Sequence, residues 1–214
     1  MKHKVKQIVT LSLAFFSIAL IGKENVENPN ATSVVNTRVA AGCSPSTSQT
    51  DLDVNNIIDA NYKNVKSPVL CTRLENSNSV SVSTIEHLMA SFYGEGIDNA
   101  LVEIDAPEVP IMDGSALDFV EAIRQVGSEE QNSPRKFIKV KEKIEIRNGS
   151  KYISIEPLEK DLIIDFEIVY SNPLIRTRRK EFRLSNGDLT SIYNSRTFCL
   201  YKDIDQIRRQ GLAK

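Results

Sequence analysis

The sequence predicts an α+β fold, and three observations predict it. Strand-like and helix-like segments occur in clusters and not in a regular βαβ alternation. The 214 residues are 41% hydrophobic and 26% charged, which suits one large buried core or two small ones. A polar stretch at residues 127–134 parts a helix-containing region from a strand-rich one and reads as a linker. The net charge of -1 argues against a chain built to coat nucleic acid or an anionic membrane, because such binding draws on excess Lys and Arg.

The first 50 residues support two readings. Lys2, Lys4 and Lys6 precede an uncharged run of about fifteen residues from Ile8 to Gly22, the size of a secretory h-region and too short for a stable membrane span. Ala40-Ala41-Gly42-Cys43 resembles a lipoprotein cleavage box, but it lies far beyond that run. The alternative is that the apolar run forms one or two buried strands.

From residue 51 the pattern sharpens. Val80 and Val82 alternate with serines, predicting a short strand over 79–83. Ser83-Thr84-Ile85-Glu86 reads as a capping box, opening a helix through His87, Leu88, Met89 and Phe92 that stops at Gly94. Ala100, Val102 and Ile104 alternate with Leu101 and Glu103, predicting a buried strand. A proline-bounded loop over 105–114 follows, and Ser115 caps a second helix with Leu117, Val120, Ile123 and Val126 on one side, ended by Gly127. Beyond the linker, apolar residues from Ile138 to Ile146 alternate with Lys and Glu, predicting a strand with one wet face. Asn148-Gly149 signals a hairpin, followed by strands at 152–156, 162–170 and 182–184. A short helix near 189–194 and a last one over 203–211 complete the pattern.

The chemistry-bearing types are sparse. Cys43, Cys71 and Cys199 form no C-x-x-C pair, and His3 and His87 are the only histidines, so no multi-imidazole zinc site can be built by this chain alone. Glu86-His87 in the first turn of a helix is the sharpest pair. Adjacent helical positions diverge by about 100°, so the two do not chelate one ion; the ring can hold a metal while the carboxylate reaches the water beside it. A structural capping role accounts for Glu86 equally. The loop at 107–115 reads as a tight structural turn, and Arg176, Arg178, Arg179 and Lys180 as a solvated hairpin tip able to meet a phosphate. Arg196-Thr197-Phe198 sits at an irregular junction where the hydroxyl can support an oxyanion. Cys71 is most simply a small buried residue.

Ser83-Thr84-Ile85-Glu86-His87-Leu88-Met89-Ala90, Gly96-Ile97-Asp98-Asn99-Ala100 and Ala106-Pro107-Glu108-Val109-Pro110-Ile111-Met112-Asp113-Gly114-Ser115 closely resemble the UDP-3-O-acyl-N-acetylglucosamine deacetylase family, zinc amidohydrolases of lipid A biosynthesis. Thr50-Asp51-Leu52-Asp53 and Ser195-Arg196-Thr197-Phe198 fall in the same order. The resemblance implies two layered β/α sandwich domains: a divergent segment over 1–50, domain I over 51–128 and domain II over 133–214, the second incomplete. It implies that His87 is a zinc (Zn2+) ligand, Glu86 the general base and Thr197 the hydroxyl supporting the oxyanion. Phe198 corresponds to an aromatic of the substrate pocket, Lys151 and Tyr170 to positions facing UDP, and Cys71 to a neighbour of the active site. The substrate implied is UDP-3-O-acyl-N-acetylglucosamine, with neither nucleic acid nor a stable membrane span involved.

The family's other two zinc ligands lie in a downstream H-K-x-x-D stretch that is not among these 214 residues, so the chain alone is expected not to hydrolyse substrate. Where the family has a Gly-x-Gly-Leu-His-Ser-Gly turn the chain reads Ser17-Ile18-Ala19-Leu20-Ile21-Gly22-Lys23, yet the spacing to Asp51 is the family's. That spacing favours altered family sequence and a cytoplasmic location over export. A non-catalytic UDP-sugar or protein binding module, and a secreted or lipid-anchored protein, are the alternatives.

Overall fold

The computed structural model describes residues 4–8, 37–38, 46–49, 57–104, 106–134, 138–184 and 189–209. The apolar run beyond Ile8, the Ala40-Ala41-Gly42-Cys43 box, Ser17 to Lys23 and Thr50-Asp51-Leu52-Asp53 lie outside these residues. Two compact units emerge: Met1–Phe137 together with Tyr193–Lys214, and Ile138–Ile192. The architecture is α+β, as the clustered pattern predicts.

The first unit is organised on one mixed sheet. Strands β1 (Lys4–Ile8), β2 (Thr37–Arg38), β3 (Ser46–Gln49) and β4 (Ile57–Asp59) are followed by a small sheet of β5 (Val65–Ser67), β6 (Arg73–Glu75) and β7 (Ser81–Val82). Helix α1 (Glu86–Gly94), strand β8 (Asn99–Ile104), helix α2 (Leu117–Val126) and strand β9 (Ser128–Pro134) come next. The larger sheet runs β4-β3-β8-β1-β9, with β2 also on β8. Strand β8 lies parallel to both β3 and β1, and β9 is antiparallel to β1.

Strand β8 is more deeply buried than simple alternation suggests: Leu101 is buried alongside Ala100, Val102 and Ile104, as in a central strand covered on both faces. Partial burial pushes the Glu103 carboxyl above its ordinary range. Helix α1 contributes Leu88 and Phe92, and α2 contributes Phe119 and Ile123, to one cluster with Leu101, Val102 and Ile104. Removing either phenylalanine ring from this cluster would cost about 3–5 kcal/mol.

Three local expectations change. No capping box forms: the N-cap of α1 is Ile85, with no side-chain cap, because the Ser83 N–H donates to the Pro107 carbonyl (3.0 Å) and Glu86 turns elsewhere. The helix stop is Gly96, not Gly94. Gly96 has φ +67°, its N–H donates to Tyr93 O (3.1 Å), and Ile97 N–H donates to Phe92 O (2.8 Å), a Schellman motif closed by two buried side chains. Residues 128–134, read as linker, are strand β9, held by backbone pairing with β1 that needs no apolar pattern.

The second unit consists of two hairpins. Strands β10 (Ile144–Asn148) and β11 (Lys151–Ile155) pair in register, Asn148 opposite Lys151 across Gly149-Ser150. The strand expected from Ile138 therefore begins at Ile144, because β11 offers partners only that far. Strands β12 (Ile163–Val169) and β13 (Thr177–Arg183) form the second pair. Arg178, Arg179 and Lys180 are thus strand residues and not a hairpin tip; Arg179 is ion-paired with Asp165. Each hairpin has an apolar face, Ile144, Ile146, Ile153 and Ile155 on one and Ile164, Phe166, Ile168 and Phe182 on the other, and most of these side chains are exposed.

After α3 (Thr190–Tyr193) the chain belongs again to the first unit and ends its described part in α4 (Ile204–Arg209). No helix among the described residues is long and apolar enough to cross a membrane.

Candidate active site

Glu86 is the first residue of α1, and its Oε2 accepts a hydrogen bond from the Thr72 backbone N–H at 3.0 Å. The carboxylate expected to cap its own helix is instead held by the turn carrying Cys71, whose thiol is half-buried. Oε1 of Glu86 has no hydrogen-bond partner among the described residues. His87, next in the same turn, is half-buried and its ring is likewise free of described partners. The pair diverges as helix geometry requires, and both side chains lie off the Leu88–Ser91–Phe92 stripe that enters the core.

The turn ahead of them is strained. Thr84 is buried and lies in the left-handed region at φ +61°, which costs a β-branched residue on the order of 1–3 kcal/mol. Its hydroxyl donates to Glu108 Oε1 at 2.7 Å, and Val109 N–H donates to Ser83 O at 3.0 Å. The loop at 107–115 therefore grips the two residues just upstream of Ile85-Glu86-His87.

The other end of that loop holds Thr197. Asp113 Oδ1 accepts from both the Ser115 N–H (2.9 Å) and the Ser115 hydroxyl (2.6 Å), while Oδ2 accepts from Arg196 at 2.7 Å. The Ser115 hydroxyl and amide, and then the Arg196 guanidinium, hold the Asp113 carboxyl below the ordinary carboxylate range. Thr197 N–H donates to Gly114 O at 2.8 Å. Gly114 has φ +87°, which glycine adopts without strain, and a Cβ there would meet Thr197 Cγ2 only at ordinary contact distance, 3.6 Å. Ser115 Oγ also accepts from Leu117 N–H (3.2 Å), but the N-cap of α2 is Ala116, one residue beyond the serine the sequence predicts, and no side chain caps it.

A second clip secures the same segment. Tyr193 is buried, its hydroxyl donates to Glu95 Oε1 (2.9 Å), and Arg124 closes a bidentate pair on Glu95 while lying 5.6 Å from the Tyr193 ring centre. Burial, and secondarily the Glu95 carboxylate, push the phenol well above its ordinary range. The ring presses on Gly94, where a Cβ would come within 2.8 Å of Cζ; this contact, not a helix stop, is the role of that glycine.

Thr197 and Phe198 are both exposed at this junction. Lys151 opens β11, and Tyr170, following β12, donates its N–H to Arg176 O at 3.1 Å; both belong to the second unit and are described within it alone. Among the described residues no cluster of three or more His, Cys, Asp or Glu is arranged to hold a metal, so these residues by themselves do not fit a catalytic zinc site. Sequence reasoning gave no role to Glu108, Asp113 or Tyr193. Asp-Gly-Ser after a proline loop is the one local signal for Asp113; its pairing with a residue 83 positions away leaves none.

A family model described as UDP-3-O-acyl N-acetylglycosamine deacetylase matches residues 36–214. The chain is 39% identical over 168 residues to the UDP-3-O-acyl-N-acetylglucosamine deacetylase of Shewanella violacea, covering 77% of this chain and 55% of that protein. It is 40% identical over 168 residues to the proteins of that name from Actinobacillus succinogenes and Pasteurella multocida, with the same coverage. The chain thus spans about half the length of the curated relatives it matches.

Proposed function

The chain belongs to the UDP-3-O-acyl N-acetylglycosamine deacetylase family, and from that membership we propose that it carries the base-bearing part of a hydrolase removing the acetyl group from UDP-3-O-acyl-N-acetylglucosamine. The observation that carries this reading is the engagement of Glu86. Its carboxylate is withdrawn from helix capping, oriented through Oε2 by Thr72 N–H, and leaves Oε1 to act on another partner.

In the reaction, a water oxygen bonds to the acetamide carbon, the C–N bond breaks as its nitrogen takes up a proton, and acetate and a free amine result. Glu86 takes the proton from the attacking water at its carboxylate. The Thr197 hydroxyl donates to the carbonyl oxygen as negative charge develops there; one such donor is worth on the order of 3 kcal/mol. Phe198 is assigned to the substrate pocket, Lys151 and Tyr170 to the UDP group, and Cys71 to the turn beside Glu86.

His87 supplies one imidazole toward zinc, and the described residues supply no set that completes the site. A catalytic zinc usually has three protein ligands, so these residues acting alone are proposed not to turn substrate over. The test is a chimera in which residues 36–214 replace the matched part of the Shewanella violacea deacetylase. Acetate release from the chimera, with none from the isolated chain, supports the proposal. An inactive but folded chimera that binds the UDP-sugar contradicts it and favours a binding module.

A further inference from the structure

We propose that the loop at residues 107–115 is a two-ended positioning clamp, with Glu108 and Asp113 as its positioning residues, that sets the Glu86–His87 turn and Thr197 in one register. The inference rests on the functional reading of those three residues given above.

The two segments it joins are more than a hundred residues apart in sequence. At the upstream end, Pro107 O accepts from Ser83 N–H and Ser83 O accepts from Val109 N–H, both at 3.0 Å, so the loop runs beside Ser83 as a single parallel bridge. Glu108 adds the hydrogen bond to the Thr84 hydroxyl. At the downstream end, Asp113 engages Arg196 while the Gly114 carbonyl holds Thr197 N–H.

Between its ends the loop is built to be stiff. Pro107 and Pro110 fix two φ angles, Ile111 O to Gly114 N–H closes a turn at 2.9 Å, and Val109 and Ser115 are fully buried. Asp113 locks Ser115 through two hydrogen bonds, and Ser115 Oγ in turn accepts from Leu117 N–H, the first residue of α2. A displacement at one end has little slack in which to dissipate. The loop therefore passes it to the other end, and the spacing between the Glu86–His87 turn and the Thr197 hydroxyl follows from it.

Amide hydrogen exchange on the 15N-labelled chain tests this without substrate or metal, so its failure is distinguishable from failure of the deacetylase reading. Three amides report: Ser83 on the upstream end, Thr197 on the downstream end, and Ile97 on the fold as a whole. Glu108→Ala should speed exchange severalfold at Thr197 as well as at Ser83, with Ile97 unchanged, and Glu108→Gln, which keeps an acceptor for Thr84, should restore both. Asp113→Asn, which keeps the Ser115 contacts and loses the acceptor for Arg196, should speed Thr197 and, severalfold, Ser83. If Glu108→Ala loses protection at Ile97 as well, the exposed-end substitution Asp113→Asn decides. Exchange changed only at the substituted end, with the far amide unmoved, overturns the clamp.

Discussion

Replacing Thr84 by glycine sets two effects against each other at the entry to α1. The substitution releases the left-handed backbone at φ +61°, a gain of about 1–2 kcal/mol. Glycine gives back about 0.5–1 kcal/mol of that through the extra freedom of the unfolded chain. It also removes the 2.7 Å hydrogen bond to the Glu108 carboxylate, worth about 1.5 kcal/mol at the lower end of the range for a charged acceptor. Loss of the buried γ-methyl costs about 0.8 kcal/mol more. The hydrogen bond and packing win, and the variant should be less stable by about 1–2 kcal/mol, a Tm lower by about 3–6 °C for a chain of this size. Thr84→Ala keeps the strain and loses the same contacts, so it should lie about 0.5–1 kcal/mol below Thr84→Gly. Thermal melts followed by circular dichroism measure all three. A glycine variant as stable as the parent, or an alanine variant more stable than the glycine one, would falsify the balance.

Other substitutions follow from the same contacts. Gly94→Ala drives a Cβ into the Tyr193 ring and should cost about 1–3 kcal/mol in urea denaturation, and less in a Tyr193→Ala background where the ring is gone; equal costs in both would remove the steric argument. Asp113 has a depressed pKa in the folded chain, so its contribution is complete above the ordinary carboxylate pKa of about 4 and fades as pH falls through the folded value. The stability difference between parent and Asp113→Asn should accordingly be level at neutral pH and shrink in acid, and a difference that grows in acid would reverse the sign of the argument. After dialysis the 214-residue chain should hold less than one zinc by atomic absorption; tight one-to-one zinc lost in His87→Ala would show that the chain completes a site. A cytoplasmic location predicts an intact mass that includes the N-terminal residues, and a mature terminus well beyond Lys23 contradicts it.

What the sequence made legible were features written in local periodicity. Helix α2 ends where Gly127 predicts, although its buried face is Phe119, Val120, Ala122 and Ile123 and Val126 is exposed; the Asn148-Gly149 hairpin forms, and Leu88 and Phe92 face the core from α1. Glu86 and His87 were visible because a motif places them together in one helical turn. What escaped depends on partners distant in sequence. Strand β9 is polar and exists because β1 pairs with it. Ser83 and Glu86 match a capping box in type and spacing, yet Pro107 and Thr72 take the groups that would close it. Gly94 was read as a stop because glycine often is one, whereas its neighbour Tyr193 arrives from 99 positions away. The Asp113–Arg196 pair joins residues on either side of the second unit, and no local pattern announces it.

The most direct measurement of the central claim is the rate of acetate release and the zinc content of the Shewanella violacea chimera carrying Glu86→Gln. If Glu86 of this chain is the general base, acetate release should fall by about 10²-fold or more while zinc content stays that of the parent chimera. Release within about threefold of the parent, outside the range of a lost general base, would contradict the assignment and return Glu86 to a structural role.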